Sequence, residues 1–141
     1  MERILVSVDG SDASERVLDW LGGSQARAHI YLIKVVHLPR QAVETRTLSA
    51  AQIQLLAEAR AYLERLGRRL APARVELVVR AGDPGPVIAS VAATLGVDLV
   101  AMVGHGRADA PSVAQFVTAH APVPTLVFGP LATAMRQHRS A

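Results

Sequence analysis

The chain contains no cysteine and a single lysine, Lys34. The first absence removes disulfides, thiolate zinc sites and cysteine nucleophiles together, and leaves the redox character of the compartment open. The second, with Lys34 inside an apolar run, leaves no G-x-x-x-x-G-K-[ST] and excludes a phosphate-loop NTPase. No G-x-S-x-G nucleophile elbow occurs, and "GHGRAD" gives G-x-G without the third glycine of a dinucleotide fingerprint. Apolar runs are short, as in Leu99 to Val103, far below the roughly 20 residues of a membrane span. No membrane partner is expected. "ERILVSVDG", which follows Met1, has no charged leader, long apolar core or small-residue cleavage site, so a cytoplasmic location is the expectation.

An excess of one charge is also lacking. The formal charge is +3, from 15 Lys plus Arg against 12 Asp plus Glu. A phosphate-tracking surface needs positive charge clustered on one face. The one basic cluster, Arg60, Arg65, Arg68 and Arg69, is interleaved with Glu58 and Glu64, which is the pattern of a solvated helix face. Nucleic-acid binding is therefore not expected. At 141 residues, without repeats or low-complexity linkers, the chain reads as one domain over 1–130 and a tail over 131–141 that frays.

Five apolar runs alternate with helical spacing. "RILVSV" reads as a strand closed by the turn "DGSD"; Asp12 and Glu15 have capping-box spacing, and Ala13, Val17, Leu18 and Leu21 recur at helical intervals up to Gly22-Gly23. "HIYLIKVVH" is a second strand, and "LPRQAVETRTLSA" is polar enough to be a loop. Leu56, Ala59, Leu63, Leu66 and Leu70 then step by three and four along a second helix. "RVELVV" is a third strand, and the helix after it has Asp83 as N-cap, Pro84 at its first position and Gly96 as its stop. Its inner face is Val87, Ile88, Val91, Ala92 and Leu95. "VDLVAMVG", a helix marked by Val113, Phe116, Val117 and His120, and "PTLVFGP" complete the order βαβαβαβαβ. Strands apolar throughout and separated by single helices predict an α/β three-layer sandwich around a five-stranded, mostly parallel, Rossmann-like sheet.

Ligands of such sheets collect beyond the carboxyl ends of the strands where the winding reverses. Three pieces lie at strand ends: "VDGS", "GDPG" and "GHGR". Asp9 in the first can accept hydrogen bonds from a base or ribose, or tie down its own turn through an Asx-type bond. Asp83 in the second is better placed as a helix cap. The five histidines, His29, His37, His105, His120 and His138, show no metal-ligand spacing, and only His105 lies where a ligand could touch it. A serine hydrolase using His105 as base would need a nucleophile at a strained turn, and none is identified.

"RILVSVDGSDAS", "VVRAGDPGPVIASVAATLGVDLVAMVGHGR" and "SVAQFVTAHAPVPTLVF" together resemble the universal stress protein family over nearly the whole chain. The resemblance implies an adenine nucleotide alpha hydrolase-like fold, and the better-known members bind ATP. On that resemblance Asp9 is the aspartate that contacts adenine and Val35 the valine that lines the base. The family's phosphate motif, G-x-x-G-x₉-G-[ST], is matched unevenly. Val103 stands at its first glycine, with Gly104 beside it; Gly106 matches the second, Pro111 replaces the third, and Ser112 matches the hydroxyl. The connecting loop is shorter by about five residues. Pro111 removes an N–H that a helix N-terminus would offer an anion, Asp109 adds a negative charge, and only Arg107 and His105 favour a phosphate.

The expectation is thus a non-catalytic universal stress protein-like domain, acting by association in a stress or regulatory response, with a degraded ATP site and no cofactor. The alternative is a member that binds ATP or AMP through Asp9, Val35, Gly104, Gly106, Arg107 and Ser112, with at most slow hydrolysis. An enzyme of the broader adenine-binding group ranks last, since no nucleophile or general base is visible. Relatives commonly dimerise through the last strand, and "TLVF" is apolar and needs cover at an edge, so a homodimer is expected alongside a protein partner. The alternative cover is the C-terminal tail.

Overall fold

The computed structural model describes residues 2–24, 27–70, 74–104 and 112–129. The predicted tail lies outside them. The elements are β1 (Arg3–Ser7), α1 (Asp12–Ser24), β2 (His29–Val36), α2 (Arg40–Thr45), α3 (Ala50–Arg69), β3 (Arg74–Ala81), α4 (Pro84–Leu95), β4 (Leu99–Val103), α5 (Val113–His120) and β5 (Thr125–Phe128). The strands form one five-stranded sheet in the order β3-β2-β1-β4-β5, and all four pairings are parallel. Register runs from Arg3 opposite His29 on one side of β1 to Ile4 opposite Leu99 on the other.

Alternation along the buried strands divides the core into two layers. Ile4, Val6, Ile30, Leu32, Ala101 and Val103 face α1 and α3, where Val17, Leu21, Leu63 and Leu66 meet them. Leu5, Tyr31, Ile33, Val100 and Met102 face α4 and α5, meeting Ile88, Val91 and Val117. The central strands are buried on both faces and read as continuous apolar runs. β3 departs from that reading. At the sheet edge, its Arg74, Glu76 and Arg80 alternate with Val75, Leu77 and Val79, and only the second set packs into the α1/α3 layer.

Three local expectations are corrected. The stretch read as a loop after β2 contains α2, a short helix without a buried residue, supported by an Arg40–Glu44 ion pair at 2.8 Å and stopped by Arg46 at φ 54°. Apolar periodicity is silent there because no apolar face packs. The cap of α1 is Ser11, one residue before Asp12: its Oγ accepts from Ser14 N at 3.1 Å, so the box spacing of Asp12 and Glu15 is not used. α1 also continues through Gly22-Gly23 to Ser24. Asp83 does occupy the N-cap of α4, ahead of Pro84, yet its carboxylate makes no capping hydrogen bond; Val87 N binds its backbone carbonyl instead. Gly96 ends α4 in the left-handed region at φ 63°, as a glycine stop requires.

Candidate functional site

The order β3-β2-β1-β4-β5 reverses its winding between β1 and β4, which puts the ligand crevice of a doubly wound sheet beyond the carboxyl ends of these two strands. Asp9 follows β1, Val35 lies near the end of β2, Gly104 follows β4, and Ser112 opens α5. Val35 packs into the α4/α5 layer. A side chain at Gly104 would point the same way, against Val127 Cγ1 at 2.9 Å and Ala114 Cβ at 3.7 Å. These four residues are thus gathered at one end of the sheet. Gly106 and Arg107, with His105, Asp109 and Pro111, lie outside the described residues.

The turn after β1 is closed on itself. Asp9 Oδ1 accepts from Ser11 N at 2.9 Å, which is the Asx-type bond, and Asp9 N donates to the buried Ser14 Oγ at 3.2 Å. Ser14 Oγ in turn donates to Ser11 O at 3.0 Å. Gly10 between them has φ 89°, a conformation that a side chain would strain. Asp9 itself is exposed, and one of its carboxylate oxygens orders the turn.

At α5 the N-terminus is closed as well. Ser112 Oγ accepts from Gln115 N at 3.0 Å, and Gln115 Oε1 accepts from Ser112 N at 3.1 Å. This is a complete capping box, and it occupies two backbone donors where an anion at the helix end would sit. The sequence carried this signal as S-x-x-Q, Ser112 to Gln115. Gly104, Ser112, Gln115, Thr118 and Val127 border a cavity of about 480 Å³ that opens to solvent. Its walls are mostly apolar.

Sequence reasoning missed a second cluster, on the α1/α3 face. Tyr62 of α3 donates to Glu15 Oε2 at 3.2 Å, and Arg69 holds Glu15 Oε1 at 2.8 Å. Lys34 Nζ and the Arg65 guanidinium each lie 5.7 Å from the centre of the Tyr62 ring. Only the three-dimensional pairing of α1 with α3 reveals it, because Glu15 and Tyr62 are far apart in sequence. Burial, then the neighbouring Glu15 carboxylate, pushes the Tyr62 hydroxyl from 10.0 up to about 12. The folded protein thus holds this proton more tightly than the unfolded chain. The associated stabilisation is complete below pH 10 and is lost as pH rises from 10 towards 12. Alkaline titration of the phenolate absorbance of the native protein minus that of Tyr62→Phe should show a midpoint about 12, against 10.0 for an unperturbed tyrosine.

No group of three or more His, Cys, Asp or Glu side chains that could hold a metal occurs among the described residues. His29 lies at the opposite, amino end of the sheet, buried and stacked on Tyr31, with Nε2 2.6 Å from Glu76 Oε2. His120 stacks on Phe116 at 4.0 Å between ring centres. Neither belongs to the crevice. Among the described residues no helix is long and apolar enough to cross a membrane.

Comparison with known proteins agrees with this architecture. The sequence model of the Universal stress protein family matches residues 1–129. The hypothetical protein MJ0577 superposes with a TM-score of 0.75 at 22% identity, covering 91% of this chain and 95% of its own. A universal stress protein solved in complex with cAMP gives 0.71 at 15% identity, with 90% and 96% covered. A family protein from Arabidopsis thaliana with AMP bound gives 0.62 at 16% identity, with 92% of each chain covered. No curated protein matches significantly. At these identities the structural likeness establishes the fold.

Proposed function

Because the chain belongs to the universal stress protein family, we propose that it acts by association in a stress or regulatory response, without catalysis, and that its ATP site no longer holds a triphosphate. The capping box at α5 carries this reading. Ser112 N and Gln115 N are engaged by the helix's own side chains, and the adjacent Pro111 has no N–H to offer. Each donor lost to a bound anion costs on the order of 1–3 kcal/mol. About 4 kcal/mol separates micromolar from millimolar affinity, which three such losses reach at an average of about 1.4 kcal/mol each. The cytoplasm is the proposed location. The proposed assembly is a homodimer through β5, which stands at the sheet edge with Leu126 37% and Val127 40% exposed, and which would also present surface to a protein partner.

A second reading is favoured by the convergence of Asp9, Val35, Gly104 and Ser112 at the winding reversal and by the relatives solved with cAMP and AMP. In it the chain binds ATP or AMP through these residues together with Gly106 and Arg107, with at most slow hydrolysis. Isothermal titration with ATP and Mg²⁺, and separately with AMP, distinguishes the two. The first reading expects no binding of ATP up to millimolar concentration. ATP binding that disappears in Asp9→Ala, with the fold verified by circular dichroism, overturns it. Binding of AMP alone assigns a site reduced to the smaller ligand.

A further inference from the structure

The cavity between α5 and β5 has walls that call for an apolar occupant. On α5 its surface is formed by Ala114, Thr118 and Ala119, on β5 by the exposed Val127, and at its upper end by Gly104, where a side chain would collide with Val127. Its polar side chains are turned back on the helix. Ser112 and Gln115 bond each other's backbone, and Thr118 Oγ1 donates to Ala114 O at 2.7 Å. A polar ligand would find few groups aimed at it. The volume, about 480 Å³, is ample for large aliphatic side chains.

The end of β5 supplies the occupant. Gly129 borders the cavity, so the chain beyond it starts at the groove. Pro130 has no N–H and cannot extend the β5 ladder, which favours departure from the strand direction. The segment that follows, "LATAM", sets Leu131 and Met135 four residues apart with only small residues between, and the charged residues Arg136 and Arg139 come after it. At roughly 3.3 Å per extended residue it can reach any part of a groove flanked by an eight-residue helix. We propose that the groove between α5 and β5 is the docking site of the chain's own C-terminal segment, with Leu131 and Met135 as the residues that fill it. The seat lies on the α5 face of β5, leaving the backbone edge of that strand open for pairing. It shares Gly104 and Ser112 with the candidate nucleotide site and so rests on the reading in which no triphosphate is held there.

The absence of cysteine provides a clean test in the full-length protein. The double variant Thr118→Cys/Met135→Cys is oxidised mildly and analysed by mass, beside a reference pair, Glu64→Cys/Met135→Cys, whose first site is on α3 across the sheet. Ala119→Cys/Leu131→Cys is a second groove pair, should loss of the Thr118 hydroxyl disturb α5. The expected result is an intramolecular disulfide that forms about tenfold faster, or more, in the groove pairs than in the reference pair, the advantage in effective concentration of a seated segment over a ranging one. Equal rates overturn the proposal. So does a groove-pair disulfide found mainly between two chains, which would place a second copy in the groove.

Discussion

Leu63→Ala should lower the free energy of unfolding by about 3 kcal/mol, the middle of the range for a buried leucine truncated in a packed core. Leu63 has no exposed surface and lies where α3 meets α1 and the sheet, in the cluster of Val17, Leu21, Ile30 and Leu32. Both helices and the strands beneath fix its surroundings, so the cavity cannot collapse fully. Such a loss is a large fraction of the roughly 5–15 kcal/mol that holds a domain together. Leu55→Ala is the internal control: the same substitution on the same helix, at a residue 46% exposed, should change stability by at most about 0.5 kcal/mol. Urea denaturation reads both through the midpoint at constant slope. Equal effects would mean that α3 does not pack on the sheet through this stripe.

The second large effect is expected at Gly85, in the first turn of α4. A Cβ there would meet Phe116 of α5 at three ring and stem atoms, the closest at 2.9 Å. A rotation of the Phe116 ring cannot relieve all of this, since its Cβ, fixed to the backbone of α5, is itself 3.1 Å away. Alanine ordinarily favours a helix over glycine by about 1 kcal/mol, but overpacking a rigid contact costs roughly 1–3 kcal/mol. The contact wins. Gly85→Ala should destabilise by about 1–2 kcal/mol in the same urea assay, and Phe116→Leu in that background should recover part of the loss. A stabilised Gly85→Ala would show that α4 and α5 can separate without cost.

The central strands were legible because burial on both faces leaves an unbroken apolar run, and α3 because one apolar stripe, Leu56 to Leu70, recurs over about four turns. α2 was not legible, because a helix held by an exposed ion pair and a left-handed stop imprints no apolar period. The cap of α1 was misplaced by one residue because Ser11 and Asp12 are both good caps, and only the backbone decides which has left the helix. In the site, residue types at strand ends marked Asp9 and Gly104 before any coordinates. What pattern reading could not supply was the direction of each polar group: that Asp9 turns an oxygen to Ser11, that Asp83 caps nothing with its side chain, and that Ser112 and Gln115 satisfy each other. The Tyr62–Glu15–Arg69 cluster needed a tertiary contact that no local pattern encodes.

The position of β1 between β2 and β4 also sets the timing of assembly. Its partner on one side, beginning at His29, leaves the ribosome soon after it, whereas the partner on the other, Leu99 opposite Ile4, arrives only when most of the chain has been made. Until then one edge of the strand Ile4, Leu5 and Val6 is unpaired, although all three residues are without exposed surface in the finished fold. Long-range parallel pairing of this kind is slow, and a bare apolar edge is a template for wrong partners. Synthesis therefore passes through a stage at which three of the five strands can pair while the other edge of the innermost one is still open to wrong partners.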